Sequence, residues 1–306
     1  MSRFPRIQFP GAIYHVFSRG NYRQNLFQDE GAASAFEKCL FEACCLSAWR
    51  LHAFVIMRNH FHLALETPRG NLAKGMHWLQ STYSKRFNCF RQEKGHLFQS
   101  RYHALLVEPG LALARVVNYI HLNPVRAHIL PVALLSQFRW SSYSKFGSSE
   151  CPPFLSAREW LETLGFEDTS TGWACYRDYL VWLASNDAEQ KRQSFETLAS
   201  GWAIGSRSLQ DEIFRANREQ APDECIDDST DPELKEIIWS QVLADLLAQA
   251  GRSREAAMAG KKGAEWKISL ARDLRRRTSA TNAWIARELC MGSPQSLSVY
   301  LSKAGR

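Results

Sequence analysis

Nothing in these 306 residues approaches 18 consecutive apolar positions, which excludes a membrane-spanning helix. The opening MSRFPRIQFPG lacks the apolar core of a secretory leader, so a cytosolic protein is expected. The eight cysteines (39, 44, 45, 89, 151, 175, 225 and 290) contain no C-x-x-C pair and no regular spacing. They read as free thiols in a reducing compartment rather than as a disulfide framework or a zinc ribbon. What remains, 45% apolar and 23% charged, is the composition of a soluble globular chain long enough for two domains.

Charge is divided along the chain. Residues 1–150 carry 18 Lys and Arg against 8 Asp and Glu. Residues 151–250 reverse this with 8 against 19, and residues 251–306 return to 12 against 4. Two basic ends flank an acidic middle, so polyanion binding is expected at the ends and repelled between them.

The most informative stretch is Leu51–Pro68, LHAFVIMRNHFHLALETP. It reads as strands His52–Met57 and His60–Thr67 joined by a turn at Arg58–Asn59. Alternation puts His60, His62, Ala64 and Glu66 on one face, and Phe61, Leu63 and Leu65 on the other. Imidazoles at i and i+2 on a rigid strand can hold one divalent cation side by side. By itself the pair is a weak signal.

A second signal lies in VVNYIHLNPVRA, Val116–Ala127. After the breaker Glu108-Pro109-Gly110, Leu111 to about Asn123 has helical composition. Arg115, Tyr119 and Asn123 then form one polar stripe at i, i+4 and i+8. The stripe offers a nucleophilic phenol and, in Asn123, a third metal ligand one turn away; the plainer alternative is a Tyr half-buried at a helix edge.

The N-terminal elements read β-α-β-β-α-β-α: a strand Ala12–Ser18, a helix Ala32–Trp49, the hairpin, a helix Leu72–Phe90 capped by Asn71, a strand His96–Val107 and the Tyr119 helix. This order fits an α+β ferredoxin-like split-βαβ unit, an antiparallel sheet with helices on one face. The second helix carries Lys74, His77, Tyr83, Lys85, Arg86 and Arg91, and the strand after it carries Arg101 and Tyr102. Interleaved charges and rings suit single-stranded DNA, the charges following phosphates and the rings stacking on bases. Three domains are expected: 1–145, carrying these motifs; 146–230, an acidic helical region ending in a linker at Gln220–Pro232; and 231–306, basic and helical. In the last, helices Trp266–Arg277, Ala283–Leu289 and Ser296–Lys303 resemble a helix-turn-helix, with Thr281 or Asn282 as a cap.

His60-Phe61-His62, Tyr119 and Asn123-Pro124-Val125-Arg126-Ala127 resemble the HUH single-tyrosine transposases, nearest the REP-associated tyrosine transposase branch. IYHVFSRGN, GHLFQSRYHALLVE and RWSSY follow that branch in order. The resemblance implies a nucleoid-associated bacterial enzyme that nicks and rejoins single-stranded DNA at hairpin-forming repeats through a 5′-phosphotyrosine at Tyr119. It implies Mg²⁺ or Mn²⁺ held by His60, His62 and Asn123, with Glu66 a substitute ligand. Arg3, Arg6, Arg58 and Arg126 are then expected at the foldback hairpin, and a monomer is expected, with a dimer as the alternative. Two rivals remain: a DNA-binding regulator with a decayed nuclease unit, and a metal-dependent hydrolase that uses water.

Overall fold

Four strands, β1 (Ala12–Arg19), β2 (Arg50–Ile56), β3 (His60–Thr67) and β4 (His103–Val107), pair antiparallel in the order β2-β3-β1-β4. A two-residue strand, β5 (Ala203–Ile204), joins β4 in parallel at the edge. Helices α1 (Glu30–Ser47) and α2 (Leu72–Arg91) make the crossovers, which is the expected α+β split-βαβ arrangement. The computed structural model describes residues 7–146, 151–200, 202–206, 208–209 and 232–303. By contacts the chain falls into two compact units, the larger Arg6–Arg215 and the smaller within Ala216–Arg306.

Strand alternation decides the first layer. Phe61 points to α1 and α2, its ring 4.7 Å from Phe36 and 6.1 Å from Phe98. Tyr83 of α2 is fully buried in this cluster and donates its hydroxyl to the Leu26 carbonyl (3.1 Å), so packing, not base stacking, claims its ring. Asp29 caps α1 by accepting from the Ala32 amide (2.7 Å). Asn71 stands at the N-cap of α2 but makes no side-chain cap bond. Its amide instead accepts from Trp49 Nε1 (3.0 Å) and donates to the Ser47 carbonyl (2.9 Å), tying the end of α1 to the start of α2. Gly75 is required in α2 because a Cβ there would collide with the Trp49 ring.

The opposite face is covered as well, by a second helical layer beyond the single one expected. It consists of α3 (Leu111–Arg126), α4 (Arg158–Thr163), α5 (Ser170–Ala184) and α6 (Asp187–Arg192). The reason is that Ile13, Ala53, Val55, Ala64 and Val107 make this face apolar too, and they bury against Val116, Val117, Ile120, Trp160, Tyr176 and Leu180. Helix α3 continues past Asn123 through Pro124 to Arg126. Strand β4 starts at His103 rather than His96.

The smaller unit contains α7 (Pro232–Gln249), α8 (Arg254–Ala259), α9 (Glu265–Arg277), α10 (Asn282–Glu288) and α11 (Pro294–Lys303). Thr281 is the cap of α10, accepting from the Trp284 amide (3.2 Å). Lys267 is buried, and its ammonium donates to the carbonyls of Ala257 (2.6 Å) and Gly260 (2.9 Å), closing the end of α8. The expected linker at 220–232 falls almost wholly outside the described residues, as do Arg3 and Arg6. Among the described residues no helix is long and apolar enough to cross a membrane.

Candidate metal and tyrosine site

Three elements converge on the α3 side of the sheet. His60 and His62 stand on β3 with ring centroids 5.1 Å apart. Tyr119, from the middle of α3, meets His62 edge-on with centroids 5.5 Å apart. Asn123, one turn further along α3, is buried and sits at the His60 ring. The four side chains are thus brought together as the spacing along each element required.

A residue behind them fixes the chemistry of His62. His15 of β1 lies diagonally across the ladder, since Phe17 pairs with His62 and His15 with Ala64. Its Nδ1 is 2.7 Å from the Leu198 carbonyl and its Nε2 is 3.0 Å from His62 Nδ1. A carbonyl only accepts, so His15 Nδ1 carries the proton. Burial lowers the His15 pKa to about 4, leaving the ring neutral near pH 7 and its Nε2 an acceptor. His62 must then donate from Nδ1. Burial, aided by His15, His60, Arg19 and Arg126, holds its pKa well below the usual value. His62 is therefore neutral with a bare Nε2, the form that binds metal. His60 follows the same pattern: Nδ1 lies 2.7 Å from Asn59 Oδ1. Burial and then Arg19 lower its pKa to about 4, against a smaller opposite effect of Asn123. Two neutral imidazoles with their Nδ1 atoms engaged, beside an amide, fit a divalent cation.

Positive charge frames the site. The Arg126 guanidinium lies 4.9 Å from the Tyr119 ring centroid and 5.5 Å from that of Phe195. Arg19 is paired with His60 across the β1–β3 ladder. Phe195 closes the far side of Tyr119, 5.7 Å away and edge-on, leaving the phenol 9% exposed.

The remaining expected contacts lie elsewhere. Arg58 is exposed in the β2–β3 turn, and Lys85 and Arg101 are exposed. Arg86 is held by Glu42 (2.8 Å) and Cys39 (3.0 Å). Helix α2, with Lys85 and Arg86, packs on the sheet face opposite His60 and His62. Glu66 does not reach the pair: four residues along a strand is about 13 Å. Its carboxylate accepts from Arg50 (2.7 Å) and faces His52, and His52 followed by Arg50 keeps it below the ordinary carboxyl pKa.

Sequence reading passed over His15, Arg19 and His121. His15 carried a visible signal, a lone imidazole among apolar residues on the inward face of a core strand. His121 lies fully buried within the same run as Tyr119, and links α3 to the Tyr176 hydroxyl (2.8 Å) and Ser142 Oγ (2.9 Å).

No curated protein matches the chain significantly. Among solved structures, a REP-associated tyrosine transposase bound to a REP hairpin is similar at 17% identity and a TM-score of 0.41, over 51% of this chain and 92% of that one. A Deinococcus radiodurans R1 protein described as a candidate transposase is similar at 20% identity and a TM-score of 0.29, over 42% of this chain and 92% of the other. Both scores are low and carry no argument. A match to the family described as "Transposase IS200 like" runs over residues 8–123. The matched span takes in β1, the His60–His62 strand and α3 as far as Asn123, and over that stretch the chain is similar to the IS200-like transposases.

Proposed function

We propose that the larger unit is a metal-dependent single-stranded DNA nickase and strand transferase acting on hairpin-forming repeats of the REP type. The observation that carries this reading is the edge contact between Tyr119 and His62, which puts a phenol beside a pair of neutral imidazoles on one sheet face. A phenol has a pKa near 10 and is a poor nucleophile when neutral. Arg126, stacked on the ring, and Arg19, beside His60, favour both a developing phenolate and an incoming phosphate. The Tyr119 oxygen attacks phosphorus, the bond to the 3′ oxygen breaks, and the DNA stays on the enzyme as a 5′-phosphotyrosine. A 3′-hydroxyl reverses the step, so rejoining needs no nucleotide energy source.

His60, His62 and Asn123 would hold Mg²⁺ or Mn²⁺, which when bound neutralises phosphate charge and stabilises the departing 3′ oxygen. Two imidazoles favour Mn²⁺ of the two. The hairpin preference rests on the sequence resemblance. Arg3, Arg6, Arg58 and Arg126 are assigned to the foldback, with Lys85, Arg86 and Arg101 as further DNA contacts. Helices α10 and α11, with Lys261, Lys262, Arg272 and Arg275–Arg277 around them, are assigned a second DNA contact, and the working state is a monomer.

The test is a labelled hairpin oligonucleotide incubated with the protein and Mg²⁺ or Mn²⁺, resolved under denaturing conditions. A denaturation-resistant adduct that disappears in Tyr119→Phe is expected. Cleavage surviving Tyr119→Phe identifies a water-using hydrolase, and binding without cleavage identifies a regulator.

A further inference from the structure

A second group of metal-ligand side chains lies on the α3 side of the sheet, at the other end of β3. His52 is the extra residue of a β-bulge: Leu51 pairs with Leu65 and Ala53 with Ala64, which leaves His52 without a partner on β3. Bulges re-aim side chains, and this one sets the His52 ring beside Glu66, with Nε2 3.8 Å from Oε2. The ring is fully buried, and neither nitrogen has a hydrogen-bond partner among the described residues. A buried imidazole with no hydrogen bond, its nearest acceptor a carboxylate at 3.8 Å, is uncommon and calls for an explanation.

The third member arrives from the chain after α3. Leu51 donates its amide to the Phe154 carbonyl (2.7 Å) and accepts from the Ser156 amide (2.8 Å), so residues 154–156 run along the outer edge of β2. Helix α4 starts two residues later and presents Glu159, half-buried, in its first turn. One ligand atom from each of His52, Glu66 and Glu159 lies within 4.8 Å of the other two. Arg50 Nη1 donates to Glu66 Oε2 (2.7 Å), the kind of outer contact that orients a ligating carboxylate.

We infer that His52, Glu66 and Glu159 form a second divalent-cation site, suited to Zn²⁺ and separate from the His60–His62 pair. Donor atoms around a tetrahedral Zn²⁺ stand about 3.3 Å apart, so small side-chain rotations close the set, with water as the fourth ligand. One neutral imidazole and two carboxylates balance the charge of the ion. The cation gives the His52 nitrogen a direct bond in place of the long contact with Glu66 and pins α4 to the β2–β3 hairpin. It is a structural tie, about 13 Å along β3 from His62, and takes no part in DNA cleavage.

The experiment is a Zn²⁺ titration, by calorimetry and by thermal melting, of the full chain carrying His60→Ala and His62→Ala. One equivalent of Zn²⁺ and a raised melting temperature are expected. Adding Glu159→Gln, a change at a half-exposed helix position, should weaken binding at least about tenfold and remove the melting shift. A double variant that binds no Zn²⁺ overturns the inference. So does binding that is equal with and without Glu159→Gln, which would assign the ion to the thiols. No DNA enters the measurement, so its failure is distinct from failure of the nicking reaction.

Discussion

The two faces of one sheet solve different problems. Under α1 and α2 the strands present Phe61 to Phe36 and Tyr83, a dry aromatic cluster whose only task is burial. Under α3 the same strands present His15 and His62, and α3 adds His121, all at 5% exposure or less and all hydrogen-bonded. A strand separates these environments by one residue, so stability and chemistry are interleaved in sequence but segregated in space. Phe61 lies between His60 and His62 in the chain and on the other side of the sheet from both.

This contrast can be broken from either side. Tyr119→Phe removes one oxygen from the polar face. It should abolish the covalent DNA adduct, a loss of about 10⁴-fold or more in nicking, while melting stays close to that of the parent. Phe61→Ala should do the reverse, costing about 3–5 kcal/mol of stability in a denaturant titration while the protein that stays folded still nicks DNA. A Phe61→Ala protein of parental stability would show that the aromatic face is not the stabilising one.

Acid should weaken the polar face alone. Burial lowers the His121 pKa to about 3, below the ordinary value near 6.5. Between those values the unfolded chain binds the proton and the folded chain does not. Stability is therefore fully present above about pH 6.5 and is lost as pH falls toward 3, by about 2 kcal/mol at pH 5 from this ring. Unfolding titrations at pH 7 and pH 5 read the loss, which should shrink in His121→Gln. The smallest effect expected is that of His15→Leu, which deletes the acceptor that fixes the His62 tautomer. Affinity for Mn²⁺ at the His60–His62 pair should drop about 10- to 100-fold, and an unchanged affinity would show that His62 needs no orienting partner.

How much of this was legible depended on the range of the interaction. Strand β3, helix α2 and the Tyr119–Asn123 stripe could be read because period two and period 3.6 are local properties. The link from His15 to Leu198 spans 183 residues, and no local pattern carries it. The second helical layer escaped for a similar reason: Trp160 and Tyr176 are plainly core residues, but which face they cover is set by tertiary pairing. Arg86 and Asn71 show the limit for single side chains. Arg86 pairs with Glu42 and Asn71 accepts from Trp49, contacts that residue type alone does not reveal.

Pro124 sits inside α3, one residue after Asn123. Having no N–H, it leaves the Ile120 carbonyl without its helical rung, although the helix runs on through Arg126. Tyr119 and Asn123 precede that proline, whereas Arg126 follows it. The missing rung thus falls between the segment that carries the phenol and the turn that carries the guanidinium stacked on it.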